Sequence, residues 1–182
     1  MGTIKVHEFL SLDGVFEDPR WTFDFPFDPK MGETIGGLMG SSKAILLGRR
    51  TYEQFAPAWS GRSAEEDPGA PFMNETPKYV VSARLQSADW SNSTILGPYD
   101  PAEVRSLKDR TDGSIYVSGS GTLVRALLAD ELVDELHLFV FPLILGRGER
   151  LFAQDGVTTR LSLSRIDSYE SGAVHLGYTA GQ

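Results

Sequence analysis

The sequence has no cysteine in its 182 residues. This absence excludes a disulfide framework, a thiolate nucleophile, an iron–sulfur cluster and any zinc site with cysteine ligands. The three histidines, His7, His137 and His175, are far apart in the sequence and show no ligand spacing, so we predict no metal site. A chain without cysteine suits a reducing compartment, and we expect a cytoplasmic protein.

The sequence also lacks an excess of basic residues and any long apolar run. Its 17 Lys and Arg against 25 Asp and Glu give a formal net charge of −8. Because nucleic-acid binding depends mainly on neutralising phosphates, this charge argues against a nucleic-acid partner. No apolar run approaches the roughly 20 residues that cross a bilayer, and the N-terminus lacks the pattern of a signal peptide. We therefore expect no membrane partner.

What is present is an alternation of strand and helix patterns. We predict helices at about 30–39, 51–55, 101–113 and 122–130, and strands at 4–10, 43–47, 78–81, 94–96, 114–117 and 136–141. Segments 15–29 and 57–77 are predicted to be irregular loops, because they are rich in proline. Alternation of this kind indicates a mostly parallel sheet, and the strand patterns of the last 25 residues add an antiparallel edge. We predict one α/β domain over residues 1–182.

Two strand-to-helix turns have the composition of phosphate-binding turns. The first, Gly48-Arg49-Arg50-Thr51, offers free helix N–H groups, a hydroxyl and charged contacts. The second, Gly119-Ser120-Gly121-Thr122, has glycines that permit a pyrophosphate to approach the backbone closely. Either turn alone is equally compatible with a plain structural turn. Because ligands of parallel sheets bind beyond the carboxyl ends of the strands, the two turns together favour a dinucleotide.

A third turn, Ser82-Ala83-Arg84, follows the predicted strand at 78–81. Ser82 and Arg84 could hold a further phosphate, which favours NADPH over NADH, since arginine commonly accommodates the 2′-phosphate. The alternative is an arginine in a solvated loop.

These segments resemble dihydrofolate reductases and, more closely, the C-terminal reductase domains of riboflavin deaminase–reductases and their free-standing single-domain homologues. The resemblance is carried by residues 11–14, 47–53, 119–123, 132–136 and 142–148, in the family's order. It implies a dihydrofolate reductase-like three-layer sandwich that binds NADPH. The implied contacts to its phosphates and adenosine are Gly48, Arg49, Thr51, Ser82, Arg84, Gly119, Ser120, Gly121 and Thr122.

The resemblance also implies a homodimer and a small heterocyclic substrate, pterin-like or ribosylaminouracil-like. The apolar segment 136–145 favours the dimer, because a strand that is apolar on both faces needs cover on each. The chain departs from the family pattern in lacking a deaminase domain with zinc-binding cysteines. Alternative functions are a reductase of an unrelated small electrophile and a non-catalytic nucleotide-binding homodimer.

Reduction by hydride also requires a proton donor, for which Asp13 is the candidate. Asp13 ends the first predicted strand, beside the expected nicotinamide site, and Gly14 after it lets the loop approach closely. The alternative is that Asp13 only caps its own turn, since Asp-Gly is an ordinary turn pair. Asp28 and Glu33, near the first predicted helix, are the other acidic candidates.

Overall fold

A computed structural model describes residues 1–152 and 158–180. The α-helices in this part of the chain are α1 (Pro29–Gly40), α2 (Arg49–Trp59), α3 (Ala70–Glu75), α4 (Pro101–Arg110) and α5 (Gly121–Ala129), and a short 3₁₀ helix covers Pro19–Asp24. The strands are β1 (Thr3–Ser11), β2 (Ser42–Gly48), β3 (Lys78–Val81), β4 (Ser93–Gly97), β5 (Ser114–Ser118), β6 (Glu135–Phe141), β7 (Leu161–Ser168) and β8 (Val174–Ala180).

The eight strands form one sheet in the order β4-β3-β2-β5-β1-β6-β8-β7. Strands β1 to β6 pair in parallel, whereas β8 runs antiparallel to both β6 and β7. The predicted mostly parallel α/β sheet with an antiparallel C-terminal edge is therefore confirmed. The carboxyl ends of β3, β2, β5 and β1 follow one another along one edge, which brings the three predicted turns and Asp13 to the same side.

Helices cover both faces of the sheet. On one face, α4 and α5 pack on strands β1, β2, β5 and β6 through a cluster that includes Ile4, Val6, Leu46, Val104, Leu107, Val117, Leu123, Val124, Leu127 and Leu136. On the other face, two clusters lie side by side. One contains Ile45, Leu47, Tyr52, Met73 and Tyr116, and the other contains Met31, Phe139 and Phe141.

The prediction of an irregular loop at 57–77 is wrong in part. Helix α2 continues through Pro57 to Trp59, and Ala70–Glu75 form α3, with Pro71 in its first turn. Pro71 misled the prediction because proline is tolerated in a first helical turn as well as in loops, whereas Pro57 lies inside the last turn of α2. The buried Lys78 stabilises the end of α3, because its ammonium donates to the carbonyls of Met73, Asn74 and Thr76.

One other predicted boundary shifts. Helix α4 begins after Asp100, whose carboxylate accepts from the Ala102 N–H, but it ends at Arg110 rather than near Gly113. Strand β6 ends at Phe141, as predicted, so the rest of the apolar segment 136–145 lies in the irregular segment that follows. In residues 1–152 and 158–180, no helix combines the length and the apolar character needed to cross a membrane.

Candidate dinucleotide site

The two glycine turns predicted to bind phosphate are joined by one side chain. The Ser120 hydroxyl accepts a hydrogen bond from the Gly48 N–H at 2.8 Å and donates to the Thr51 hydroxyl at 2.6 Å. Ser120 follows β5, and Gly48 ends β2, the strand beside it. The structure therefore brings the turns at 48–51 and 119–122 together into one site.

The helices that begin at these turns have free N-termini. Gly48 and Ser120 precede α2 and α5, and neither helix start has a side-chain cap within the residues that the structure describes. In contrast, Asp28 caps α1 and Asp100 caps α4 through their carboxylates. Because the first N–H groups of a helix have no partner within it, two adjacent uncapped starts form a site suited to an anion with several charged oxygens.

The turn after β5 has an unusual backbone. Gly119 and Ser120 both have φ of 69°, in the left-handed region. For a residue other than glycine this conformation costs about 1–2 kcal/mol, and the two hydrogen bonds of the Ser120 hydroxyl help to hold it. A Cβ on Gly48 would lie 2.8 Å from the Ser120 hydroxyl, so the close contact of the two turns requires glycine at position 48. A Cβ on Gly121 would instead overlap the Phe16 ring, which packs against the start of α5.

The charged and polar side chains around these turns differ in availability. The Arg49 guanidinium is bound to both carboxylate oxygens of Glu53, at 2.9 and 2.7 Å, one turn further along α2. Thr122 is exposed in the first turn of α5. An incoming phosphate would compete with Glu53 for Arg49, whereas the Thr122 hydroxyl, which accepts from Arg125 at 3.4 Å, still has its own hydrogen to donate.

Ser82 and Arg84 lie at the carboxyl end of β3, two strands from β5. At about 4.8 Å per strand this is roughly 10 Å from the glycine turn, a separation that one dinucleotide can span. The buried Ser82 hydroxyl accepts from the N–H groups of Arg84 and Leu85, at 3.1 and 2.9 Å. Ser82 therefore shapes the turn, while the Arg84 side chain is exposed.

Asp13 anchors the segment after β6. Its carboxylate accepts from the Ser11 hydroxyl at 2.6 Å and from the N–H groups of Leu145 and Gly146 at 3.1 and 2.9 Å. These hydrogen bonds, that of Ser11 first, lower the pKa of Asp13 to about 2. An ionised carboxylate has no proton to give at neutral pH. The role of Asp13 as proton donor stays a prediction, and its contacts favour an anchoring role.

The other two acidic candidates have different surroundings. Asp28 is buried, and its carboxylate accepts from the N–H groups of Lys30 and Glu170, so it holds the start of α1 against the β7–β8 turn. Glu33 is exposed and lines a cavity of about 530 Å³ between α1 and β7, together with Lys30, Arg165 and Asp167. Both lie on the β6–β8–β7 side of the molecule rather than at the glycine turns.

Two adjacent residues of β1, His7 and Glu8, were not predicted from the sequence to belong to the site. Burial raises the pKa of Glu8 to about 8, although the Gly119 N–H partly opposes the rise, and one Glu8 carboxyl oxygen has no hydrogen-bond partner. Burial, with smaller contributions from His137 and His175, lowers the pKa of His7 to about 3. The available signal was a pair of consecutive polar residues in the middle of a strand, which places one polar side chain on each face of the sheet.

The histidines are closer in space than their spacing indicated. His137 and His175 share a hydrogen bond of 3.0 Å, and each also contacts a carboxylate at 3.1 Å, Glu135 and Asp167 respectively. In the described part of the chain, no group of three or more His, Asp or Glu residues has an arrangement that could hold a metal ion. The pair instead forms a hydrogen-bonded row between two acidic side chains.

Comparison with known sequences gives a family. The family model of the RibD C-terminal domain matches residues 3–175. The chain is also 27% identical over 173 residues to the uncharacterized protein YyaP of Bacillus subtilis (strain 168), and the match covers 93% of this chain and 90% of YyaP.

Solved structures agree in fold. A Shewanella sp. PV-4 protein named for riboflavin biosynthesis matches with a TM-score of 0.80, at 18% identity over all of both chains. A Thermotoga maritima deaminase/5-amino-6-(5-phosphoribosylamino)uracil reductase gives 0.71 at 15% identity, covering 99% of this chain and 57% of that chain. A dihydrofolate reductase from Enterococcus faecalis, complexed with NADP(H), gives 0.62 at 13% identity, covering 100% and 98%. The fold is therefore dihydrofolate reductase-like, as predicted.

We predict that Asp13→Asn loosens the segment after β6. A neutral amide is a weaker acceptor than a carboxylate, so the N–H groups of Leu145 and Gly146 should exchange with solvent about tenfold faster or more. Amide exchange followed by NMR measures this, with the exposed Asp109→Asn on α4 as the matched control. Equal protection of both amides in Asp13→Asn and the parent would contradict the anchoring role.

Proposed function

This chain belongs to the RibD C-terminal domain family, and on that premise we propose that it is an NADPH-dependent reductase of a small heterocyclic substrate. The family is that of riboflavin-pathway reductase domains, which supports a reductase in general terms. The observation that supports NADPH binding is the pair of uncapped helix starts joined by Ser120. The proposed substrate is a pterin or a ribosylaminouracil, the latter being the compound class named for the Thermotoga maritima structural neighbour.

Different residues at the carboxyl edge would bind different parts of the cofactor. Gly119, Ser120, Gly121 and Thr122 would hold the pyrophosphate at the start of α5, and Gly48, Arg49 and Thr51 would contact it from the start of α2. Ser82 would shape the turn from which Arg84 reaches the 2′-phosphate. When bound, NADPH supplies a hydride to the carbon of a C=N or C=O bond.

The protonation of Glu8 is compatible with an anion at this turn. Glu8 accepts from the Gly119 N–H and has a pKa of about 8, so it is mainly uncharged at neutral pH. A charged carboxylate in that position would repel a bound pyrophosphate in surroundings where screening is weak. Burial of Glu8 therefore keeps a negative charge away from the proposed phosphate site.

We expect the chain to prefer NADPH over NADH through Arg84. One charge-assisted contact is worth about 1.5–3 kcal/mol, so NADPH should bind about 10- to 150-fold more tightly. Arg84→Ala should reduce this preference without unfolding the protein, because the side chain is exposed. Titrations of both cofactors at moderate salt measure it, with the exposed Arg105→Ala as control. Equal affinities in the parent would remove this role from Arg84.

Gly119→Val should abolish binding of the dinucleotide, because a side chain would project where the pyrophosphate approaches. The variant is also strained, since φ is 69° and the new Cβ would lie 3.2 Å from Thr51. Gly172→Val is a matched control, with φ of 82° and a Cβ 3.1 Å from Pro142, in the turn between β7 and β8. Calorimetric titration with NADPH should show loss of binding only for Gly119→Val. Equal affinity in both folded variants would mean that the phosphate lies elsewhere.

We also propose a homodimer, on grounds that differ from the sequence-based ones. The chain itself covers β6, because Phe139 and Phe141 pack near α1 while Leu136 and Leu138 pack with the α4–α5 cluster. Exposed apolar side chains instead lie on the edge strand β7, where Leu163 is 55% and Ile166 63% exposed. An edge strand that is paired on one side only and carries exposed apolar side chains is a ready site for a second copy.

Light scattering at micromolar concentration should therefore give about twice the mass of one chain. Ile166→Glu should shift the protein towards the monomer, because it places a charge in the proposed contact. Ile144→Glu, at a residue that is 73% exposed and away from β7, should leave the mass unchanged. A monomeric parent protein would contradict the proposal.

A further inference from the structure

One ring nitrogen of His7 is buried without a hydrogen-bond partner among the described residues. Its side chain is 3% exposed, and its Nδ1 atom lies 2.7 Å from the Tyr116 hydroxyl. Within the residues that the structure describes, its Nε2 atom has no hydrogen-bond partner. Buried polar groups of this kind are rare in folded proteins, and each calls for a physical explanation.

The position of His7 connects it to the glycine turn. His7 lies opposite Ser118, the last residue of β5, in the parallel pair of β1 and β5, and Gly119 follows directly. The His7 ring touches both clusters of its face, since Tyr116 belongs to the cluster with Tyr52 of α2 and Met73 of α3, whereas Phe139 belongs to that with Met31 of α1. His7 therefore lies on the seam between α1 and α2, at the edge where the dinucleotide is proposed to bind.

The hydrogen bond between Tyr116 and His7 determines which nitrogen of His7 carries the hydrogen. Burial raises the pKa of Tyr116, an effect that the Ser118 hydroxyl beside it only partly opposes, so the phenol keeps its proton. Among the described residues, His7 Nδ1 is the one hydrogen-bond partner of this buried phenol, so the phenol donates to Nδ1 rather than leaving its hydrogen without an acceptor. The His7 ring is neutral at physiological pH, since its pKa is about 3. Its one hydrogen is therefore on Nε2, which makes Nε2–H a fixed donor without an acceptor.

Aromatic neighbours hold the imidazole in one orientation. Phe9 and Phe139 pack against it nearly at right angles, with ring centroids 4.7 and 5.0 Å away. Phe9 also packs on Phe141, which in turn contacts Trp21 of the 3₁₀ helix. These rings form an apolar surround that fixes the position of the Nε2 atom.

We propose that the Nε2–H group of His7 contacts the substrate and supplies the proton that its reduction requires, and that Tyr116 and Ser118 return this proton from solvent. The proposal rests on the proposed reductase function. It defines the substrate as a planar heterocycle whose reducible C=N or C=O bond presents its nitrogen or oxygen to His7. Neutral imidazole is a suitable donor, because in the substrate complex it can polarise such a bond before hydride arrives.

Every hydrogen that moves through His7, Tyr116 and Ser118 in this step can be accounted for. Addition of hydride to carbon leaves an electron pair on the adjacent nitrogen or oxygen, which forms a bond to the hydrogen of His7 Nε2. His7 Nδ1 takes the hydrogen of Tyr116, the Tyr116 oxygen takes that of Ser118, and Ser118 takes one from water at the carboxyl edge. The substrate has then gained a hydride from the cofactor and a proton from solvent, and the imidazole is neutral again with its hydrogen on Nδ1. After the product leaves, water that enters the pocket gives a hydrogen to Nε2, while Nδ1, Tyr116 and Ser118 pass their hydrogens back to the hydroxide left at the carboxyl edge, which restores the starting tautomer.

The first test needs no substrate. NMR of the protein labelled with ¹⁵N-histidine should show His7 as the Nε2–H tautomer, both in the free protein and with NADPH added. Tyr116→Phe removes the donor to Nδ1 and should give a mixture of tautomers or the Nδ1–H form. Tyr99→Phe is the matched control, because the Tyr99 hydroxyl donates to Asp130 at the far end of α5. An Nδ1–H tautomer in the parent protein would overturn the proposal.

The second test measures turnover with NADPH and two probes, dihydrofolate and 5-amino-6-(5-phosphoribosylamino)uracil. His7→Phe, which fits the aromatic surround, should lower kcat by about 10²-fold or more, while the Kd for NADPH changes less than about twofold. His7→Gln retains an N–H donor and should recover part of the loss, and Tyr116→Phe should lower kcat by about tenfold. Tyr99→Phe should match the parent.

The outcomes separate this proposal from the proposed function. Turnover by the parent with an unchanged kcat in His7→Phe and Tyr116→Phe would overturn the role of His7 and leave the reductase intact. The same result together with a loss of about 10²-fold in Asp13→Asn would assign the proton to Asp13. If the parent reduces neither probe and does not bind NADPH, the proposed function fails and the role of His7 fails with it.

Discussion

The hydrogen bonds of the Ser120 hydroxyl are the interaction on which the candidate site depends. One oxygen bridges the Gly48 N–H and the Thr51 hydroxyl, and so it fixes the start of α5 beside the start of α2. Without this bridge each turn would be an ordinary strand-to-helix connection with a weak preference for anions. With it, two helix starts present their free N–H groups to the same space, and their partial positive charges add.

Strand β1 supplies the other half of the site through burial. His7 and Glu8 are neighbours, so their side chains point to opposite faces of the sheet, His7 towards the α1–α2 seam and Glu8 towards α5. Burial disfavours the charged form of each, which lowers the pKa of His7 and raises that of Glu8. Both are therefore mainly neutral at physiological pH, one beside the proposed heterocycle and the other beneath the proposed pyrophosphate. The central strand keeps polar groups near the ligands without adding charge to the sheet.

Much of the architecture could be predicted because strands and helices repeat on local periods. The α/β order, the parallel sheet with its antiparallel edge and the capping of α4 by Asp100 all follow from patterns within a few residues. Segment 57–77 could not be predicted in this way. Helix α3 is held by Lys78, whose buried ammonium satisfies carbonyls at the end of that helix, and proline content indicates nothing about such a contact.

The sequence by itself determined where phosphate-binding turns are predicted, because glycine, serine and threonine at the ends of strands have the required backbone freedom and hydrogen-bonding groups. Only the tertiary structure decided what the ionisable groups do. The local Ser11 hydroxyl is the largest cause of the lowered pKa of Asp13, but the N–H groups of Leu145 and Gly146, more than 130 positions away, lower it further and join the carboxylate to the segment after β6. In the sequence His7 is an ordinary strand histidine, but Tyr116 of β5 determines which of its ring nitrogens has no hydrogen-bond partner among the described residues. A pKa and a hydrogen-bond partner depend on neighbours in space, and the fold alone brings those neighbours together.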